Sequence, residues 1–145
     1  GAGGEALAFV EIRTAAAPAR PQLSMTVGDL RDPVTQGREF TYLIRVVNAG
    51  QAPDHRVGVV VIVPPELQVI RFGTHGPPST EFTVTGQTIR FTPLDTIEPD
   101  PQKPLEYRIR VRAVRAGDVR LRAELTSESL RQAAVVEETT TVFSQ

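Results

Sequence analysis

The chain has 145 residues and a mass of 15.8 kDa, the size of one ordinary domain that buries a core without staples. Its 16 basic and 17 acidic residues leave a net charge of -1, so no overall field draws it to nucleic acid or an anionic membrane. Cysteine is absent, which excludes a disulfide framework, a thiolate nucleophile and a Cys-ligated metal. No uncharged run approaches the roughly 20 apolar residues of a membrane helix.

Val is the commonest residue at 18, followed by Thr and Arg at 15 each. Val and Thr are β-branched and suit a pleated, half-buried surface better than a helix. Gly and Pro are spread along the chain, punctuating it as turns do in sandwiches and barrels.

The elements are read in chain order. Residues 7–14 are strand-like, with Leu7, Phe9, Val10 and Ile12. They form either the last strand of a preceding module or the first strand of this one. Residues 15–21 read as a linker stiffened by Pro18 and Pro21. The expected organisation is therefore an N-terminal strand and Pro-containing linker over 1–21 and a sandwich over 22–145.

Leu23, Met25 and Val27 alternate with Ser24 and Thr26. Phe40, Tyr42, Ile44 and Val46 alternate with Glu39, Thr41 and Arg45, although Leu43 and Val47 break the polar face. Residues 57–63 are apolar on both faces, as in a central strand covered on two sides, and end at Pro64-Pro65, which cannot donate to a ladder. Residues 67–72 and 81–85 are short strands separated by a loop over 73–78. Gly86-Gln87 is a tight turn into Ile89 and Phe91.

Leu105, Tyr107, Ile109, Val111 and Ala113 alternate with Glu106, Arg108, Arg110 and Arg112. After a turn at 116–118, Val119, Leu121, Ala123 and Leu125 alternate with Arg120, Arg122 and Glu124. Residues 128–136 have weak helical spacing, lack a cap and end in β-branched residues, so they read as a turn into a last strand over 134–143. The fold class is all-β, a two-sheet antiparallel sandwich of seven to nine strands. Tyr42, Ile44, Tyr107, Ile109, Val111, Leu121 and Leu125 are expected to face its core.

Residues 23–143 resemble a known family. The stretches that carry the likeness are 37–50, with Tyr42 leading a strand that ends Asn48-Ala49-Gly50; 63–67, with the kink Val63-Pro64; 89–94; and 105–111. They resemble the conserved-repeat domain of bacterial surface proteins, the domain of unknown function numbered eleven, and are similar to the bacterial cell-adhesion-related domain. The kink is Val-Pro where that family has Leu-Pro, and Glu98-Pro99-Asp100-Pro101 stands where it has Pro-Gly. The resemblance implies an immunoglobulin-like sandwich, one of several in a long secreted or wall-associated protein. Gly1-Ala2-Gly3-Gly4 has no basic n-region or apolar core, so the chain reads as an internal module.

Four groups of residues are candidates for chemistry. Arg108, Arg110 and Arg112 share one strand face, and Arg120 and Arg122 are expected on the same face of the next strand. A row of guanidinium groups binds carboxylate, phosphate or sulfate bidentately, which suits an anionic glycan or acidic protein partner. Asp95, Glu98 and Asp100 form an acidic turn, and Asp29 and Asp32 a second acidic pair, but neither has the spacing of a Ca²⁺ loop. His55 and His75 sit in expected loops without a nucleophile motif. Residues 57–63 and 72–78 could present an apolar patch.

No catalytic, cofactor or metal set emerges, and an enzyme is not expected. The leading reading is a non-catalytic structural or adhesive module of a larger exported or cell-surface protein. Its partners would be neighbouring modules or other surface proteins, with no nucleic acid and no membrane insertion. The alternative is a module that binds an anionic ligand through the arginine face. A spacer should have its two ends at opposite ends of its long axis.

Overall fold

The structure, a computed structural model, describes residues 18–145. The expected strand over 7–14 lies outside the described residues. Eleven strands fill the rest: β1 (Leu23–Asp29), β2 (Val34–Thr35), β3 (Glu39–Asn48), β4 (Asp54–Ile62), β5 (Leu67–His75), β6 (Phe82–Thr85), β7 (Thr88–Phe91), β8 (Leu94–Ile97), β9 (Leu105–Ala113), β10 (Gly117–Thr126) and β11 (Ala134–Phe143). The two-sheet sandwich holds, with more strands than the expected seven to nine. The surplus is β2 and β8, of two and four residues, too short to show any alternation.

One sheet is antiparallel in the order β1-β3-β9-β5. The other runs β2-β11-β10-β4-β7-β6, with β8 also pairing β4. Only the β2–β11 pair is parallel among the described ladders, Val34 facing Val142. Alternation aims one face of each sheet at a common core. Tyr42, Ile44, Tyr107, Ile109, Val111, Leu121 and Leu125 are all fully buried there, as their periodicity requires. The rings of Phe91 and Tyr107 meet edge-on at 4.9 Å, bridging the two sheets.

Three local expectations change. β4 is central in its sheet, and Val57, Val59 and Val61 are buried, but its other face is open: Ile62 is 38% exposed. Among the described residues no layer packs outside this sheet, so apolar residues on both faces of a strand did not mean cover on both. The expected loop over 73–78 begins later, because β5 continues to His75 through an irregularity. Ile70 faces Arg110 and His75 faces Arg108, so five steps along β5 match two along β9. Inside it, the Thr74 hydroxyl accepts the Arg110 N–H at 2.9 Å and donates to the Ile70 carbonyl at 2.7 Å, replacing ladder bonds that the extra residues displace. Phe72 is thereby pushed out, 93% exposed. The third change concerns the arginines and is taken up with the site.

The β6–β7 hairpin turns at Gly86-Gln87 as expected, with Gly86 at φ 61°. The Gln87 amide then donates to the carbonyls of Val63, Pro64 and Leu67 at 2.9–3.2 Å, tying down the Pro-Pro segment that ends β4.

β3 runs from one end of the sandwich to the other. At its Asn48 end, the Asn48 side chain accepts the N–H groups of Gln22 and Gly50 at 3.0 Å and donates to the Ala52 and Ile97 carbonyls. At its other end, beside Gly37, the Gln36 N–H donates to the Phe143 carbonyl at 2.8 Å. Residues 20–22 and 143–145 therefore lie at opposite ends of β3, on the order of 35 Å apart at about 3.3 Å per strand residue.

Candidate interaction surface

The five arginines do not form one face. The link 114–116 carries the chain from β9 in one sheet to β10 in the other, with the Val114 and Arg115 N–H groups donating to the Glu66 carbonyl. Both edges of β9 are already taken, by β3 and β5, so β10 pairs instead with β11 and β4. Each strand points its apolar residues at the same core from opposite sides. Their polar residues therefore point away from each other: Arg108, Arg110 and Arg112 lie outside one sheet, Arg120 and Arg122 outside the other. The single stripe expected from the sequence is corrected on this ground.

On the β9 face Arg110 and Arg112 are paired rather than free. Glu39 sits between Arg110, at 3.3 Å, and Arg112, at 2.6 Å, and Arg110 also donates to the Thr41 hydroxyl at 3.0 Å. Arg45 pairs with Glu106 at 2.8 Å. On the opposite face Arg122 meets Glu124 at 2.9 Å and Arg120 approaches Glu137 at 3.9 Å. Of the five, only Arg108 has no ion pair among the described residues. Such exposed ion pairs contribute little to stability, about 0–1 kcal/mol each.

A cleft missed in the sequence lies beside this ladder. It encloses about 540 Å³ and is lined by Leu30, Arg31, Pro33, Arg38, Glu39 and Arg110, among others, over a floor of Phe40. The β1–β2 connection brings Arg31 there, anchored by the Leu30 N–H on the Thr41 carbonyl at 2.9 Å. Arg38 is held by backbone bonds to Thr35 and Ala113. Arg31 and Arg38 sit in irregular backbone, where no alternation marks them, so only the pairing of Thr41 with Arg110 across β3 and β9 reveals the group.

The other candidates separate in space. The acidic segment begins with Asp95 inside β8 and runs on past it at the Asn48 end, where Asp100 accepts the Gln102 N–H at 2.9 Å in ordinary turn fashion. Asp29 and Asp32 accept from Thr140 and Thr141 of β11. No group of three His, Asp or Glu side chains among the described residues could hold a metal ion. His55 contacts the Thr96 hydroxyl and the Asp95 carbonyl; His75 contacts only the Gly76 carbonyl, so the two histidines share no site.

Two buried polar centres were also illegible in the sequence. Asp54, 2% exposed, accepts hydrogen bonds from the Ser127 and Ser129 hydroxyls and from the N–H groups of His55 and Ser129. Burial opposes its charge, but these four donors outweigh it and hold its carboxyl below the usual range. The Tyr107 hydroxyl is buried without a partner among the described residues, and burial pushes its pKa up to about 12.

No family model matches the chain. The fold is similar to that of the CARDB, or cell-adhesion-related, domain of a Pyrococcus furiosus protein solved with two metal ions. The TM-score is 0.55 at 16% identity, over 84% of this chain and 88% of that one. A cohesin module from a Clostridium perfringens family 33 glycoside hydrolase superposes with a TM-score of 0.54 at 8% identity, over 88% of this chain and all of that one. The C-terminal domain of the Streptococcus agalactiae polypeptide BspA gives 0.51 at 15%, over 85% of this chain and 50% of that one. At these identities the likeness is one of fold: an all-β sandwich of the kind used by adhesion-related and cohesin modules.

Proposed function

We propose that this domain is a non-catalytic structural or adhesive module of a larger exported or cell-surface protein, working as a spacer between neighbours. The observation that carries the reading is the placement of residues 20–22 and 143–145 at opposite ends of β3. The neighbours in fold support it, since they include adhesion-related and cohesin modules. The chemistry of such a module is packing and partner contact, and its partners are other protein modules. The anionic-ligand alternative loses the five-arginine face on which it rested.

A spacer must also bear tension. Force applied at Leu23 and Phe143 loads the β1–β3 and β10–β11 ladders along their length, so their hydrogen bonds must break together rather than one by one. Single-molecule extension through cysteines placed at Arg20 and Ser144, unique in a Cys-free chain, tests this. The expected result is one cooperative rupture from an initial span on the order of 35 Å. Ends found close together, or strands peeling at low force, would overturn the spacer reading.

A further inference from the structure

The acidic turn and the arginine cleft stand at opposite ends of the module. The Ile97 carbonyl that leads into the turn accepts the Asn48 amide at 3.2 Å, which fixes the turn at the Asn48 end. The cleft adjoins β2, which pairs with the last residues of β11 at the Gly37 end. Their local charges are complementary. Asp95, Glu98 and Asp100 carry three negative charges against Lys103; Arg31, Arg38 and Arg110 carry three positive charges against Glu39.

Of these, Arg31, Arg38, Asp95 and Glu98 are open to an outside partner, whereas Arg110 is engaged by Glu39 at 3.3 Å. Glu39 is already shared with Arg112, and Arg31 and Arg38 have no ion pair among the described residues. Neighbouring Asp32 is turned away, with Oδ1 on the Thr141 N–H at 3.0 Å. Asp95 and Glu98 are exposed and likewise unpaired among the described residues. Pro99 and Pro101 stiffen the turn, which lowers the entropy lost when it docks.

We infer that the cleft formed by Arg31, Arg38 and Arg110 receives the acidic turn of a second copy of this chain, joining modules head to tail. This rests on the spacer reading, because it names the contact that end-to-end modules would make. Such an interface is heterologous: each copy offers a cleft at one end and a turn at the other, so it propagates rather than closing in a pair. Single contacts of this kind are weak, and a tether raises the effective concentration to about the millimolar range, where they fill.

The test is amide NMR of the full chain diluted from about 1 mM, the concentration a tether would impose. Expected are concentration-dependent shifts at both 30–41 and 95–103, lost when salt is raised. The double variants R31E/R38E and D95R/E98R should each weaken self-association at least about tenfold, whereas mixing the two should restore it, which simple loss of fold could not do. Shifts confined to other surfaces, no shifts at all, or a mixture no tighter than its components would overturn the inference. The spacer reading stands or falls separately, on the span and rupture measured in the monomer.

Discussion

The Tyr42 hydroxyl lies 2.7 Å from Thr140 Oγ1, a buried hydrogen bond that joins β3 of one sheet to β11 of the other. Thr140 has one hydroxyl proton and gives it to Asp29 Oδ2 at 2.7 Å. Tyr42 is therefore the donor in its bond to Thr140, and the relay runs Tyr42, Thr140, Asp29. Burial is the first cause that raises the Tyr42 pKa far above the ordinary phenol range.

Thr140→Val keeps the shape but strands the Tyr42 proton in the core, so it should lose about 1–3 kcal/mol. Tyr42→Phe removes the donor and leaves the Thr140–Asp29 bond intact, so its loss should be the smaller, about 1 kcal/mol. Urea midpoints at constant m check the order; equal losses would reject the direction assigned to the relay.

Asp54→Ala should destabilise by about 2–3 kcal/mol, since it frees the two serine hydroxyls and the Ser129 N–H that fasten the 127–129 turn to β4, and the His55 N–H beside it. The wild-type carboxyl has a lowered folded pKa. Its contribution is thus complete above the unfolded value of about 3.9 and lost as pH falls through the folded one. Thermal scans from pH 6 to 2 should show the wild type approaching the variant at the acid end.

Glu138 behaves in the opposite sense. Burial, then the charge of Asp29, raises its pKa, so the folded state holds the proton more tightly than the unfolded chain. This favours folding below the unfolded pKa of about 4.3 and is lost as pH rises through the folded value. Glu138→Gln should accordingly raise the melting temperature at pH 7 and leave it unchanged near pH 3. A variant less stable than wild type at pH 7 would contradict the assignment.

Gly50→Ala should loosen the segment at 20–22. A Cβ at Gly50 would collide with the Arg20 carbonyl and meet the Gln22 nitrogen at 2.5 Å, both backbone atoms with little room to move. The expected signature is faster amide exchange at Gln22 and Gln51 with the rest of the core protected. Unchanged exchange would mean that the segment yields freely.

Alternation along single strands was enough to place Tyr42, Ile109 and Leu121 in a sandwich core, because side-chain direction in a strand follows from sequence position alone. Adjacency in the chain was not enough to place Arg110 beside Arg122. Whether consecutive strands pair or cross between sheets depends on which edges remain free, and β3 and β5 had already taken both edges of β9. The same limit hid the cleft, the Asp54 centre and the Thr74 bulge. Each is built by groups distant in sequence, such as Asp54 and Ser129, whose meeting is fixed by how the sheets pack and is marked by no local period. The sequence by itself thus determined which alternating strand residues face the core; the tertiary structure decided which surface residues are neighbours and which polar groups, such as Asp54, are buried, because both depend on strand order and packing across two sheets.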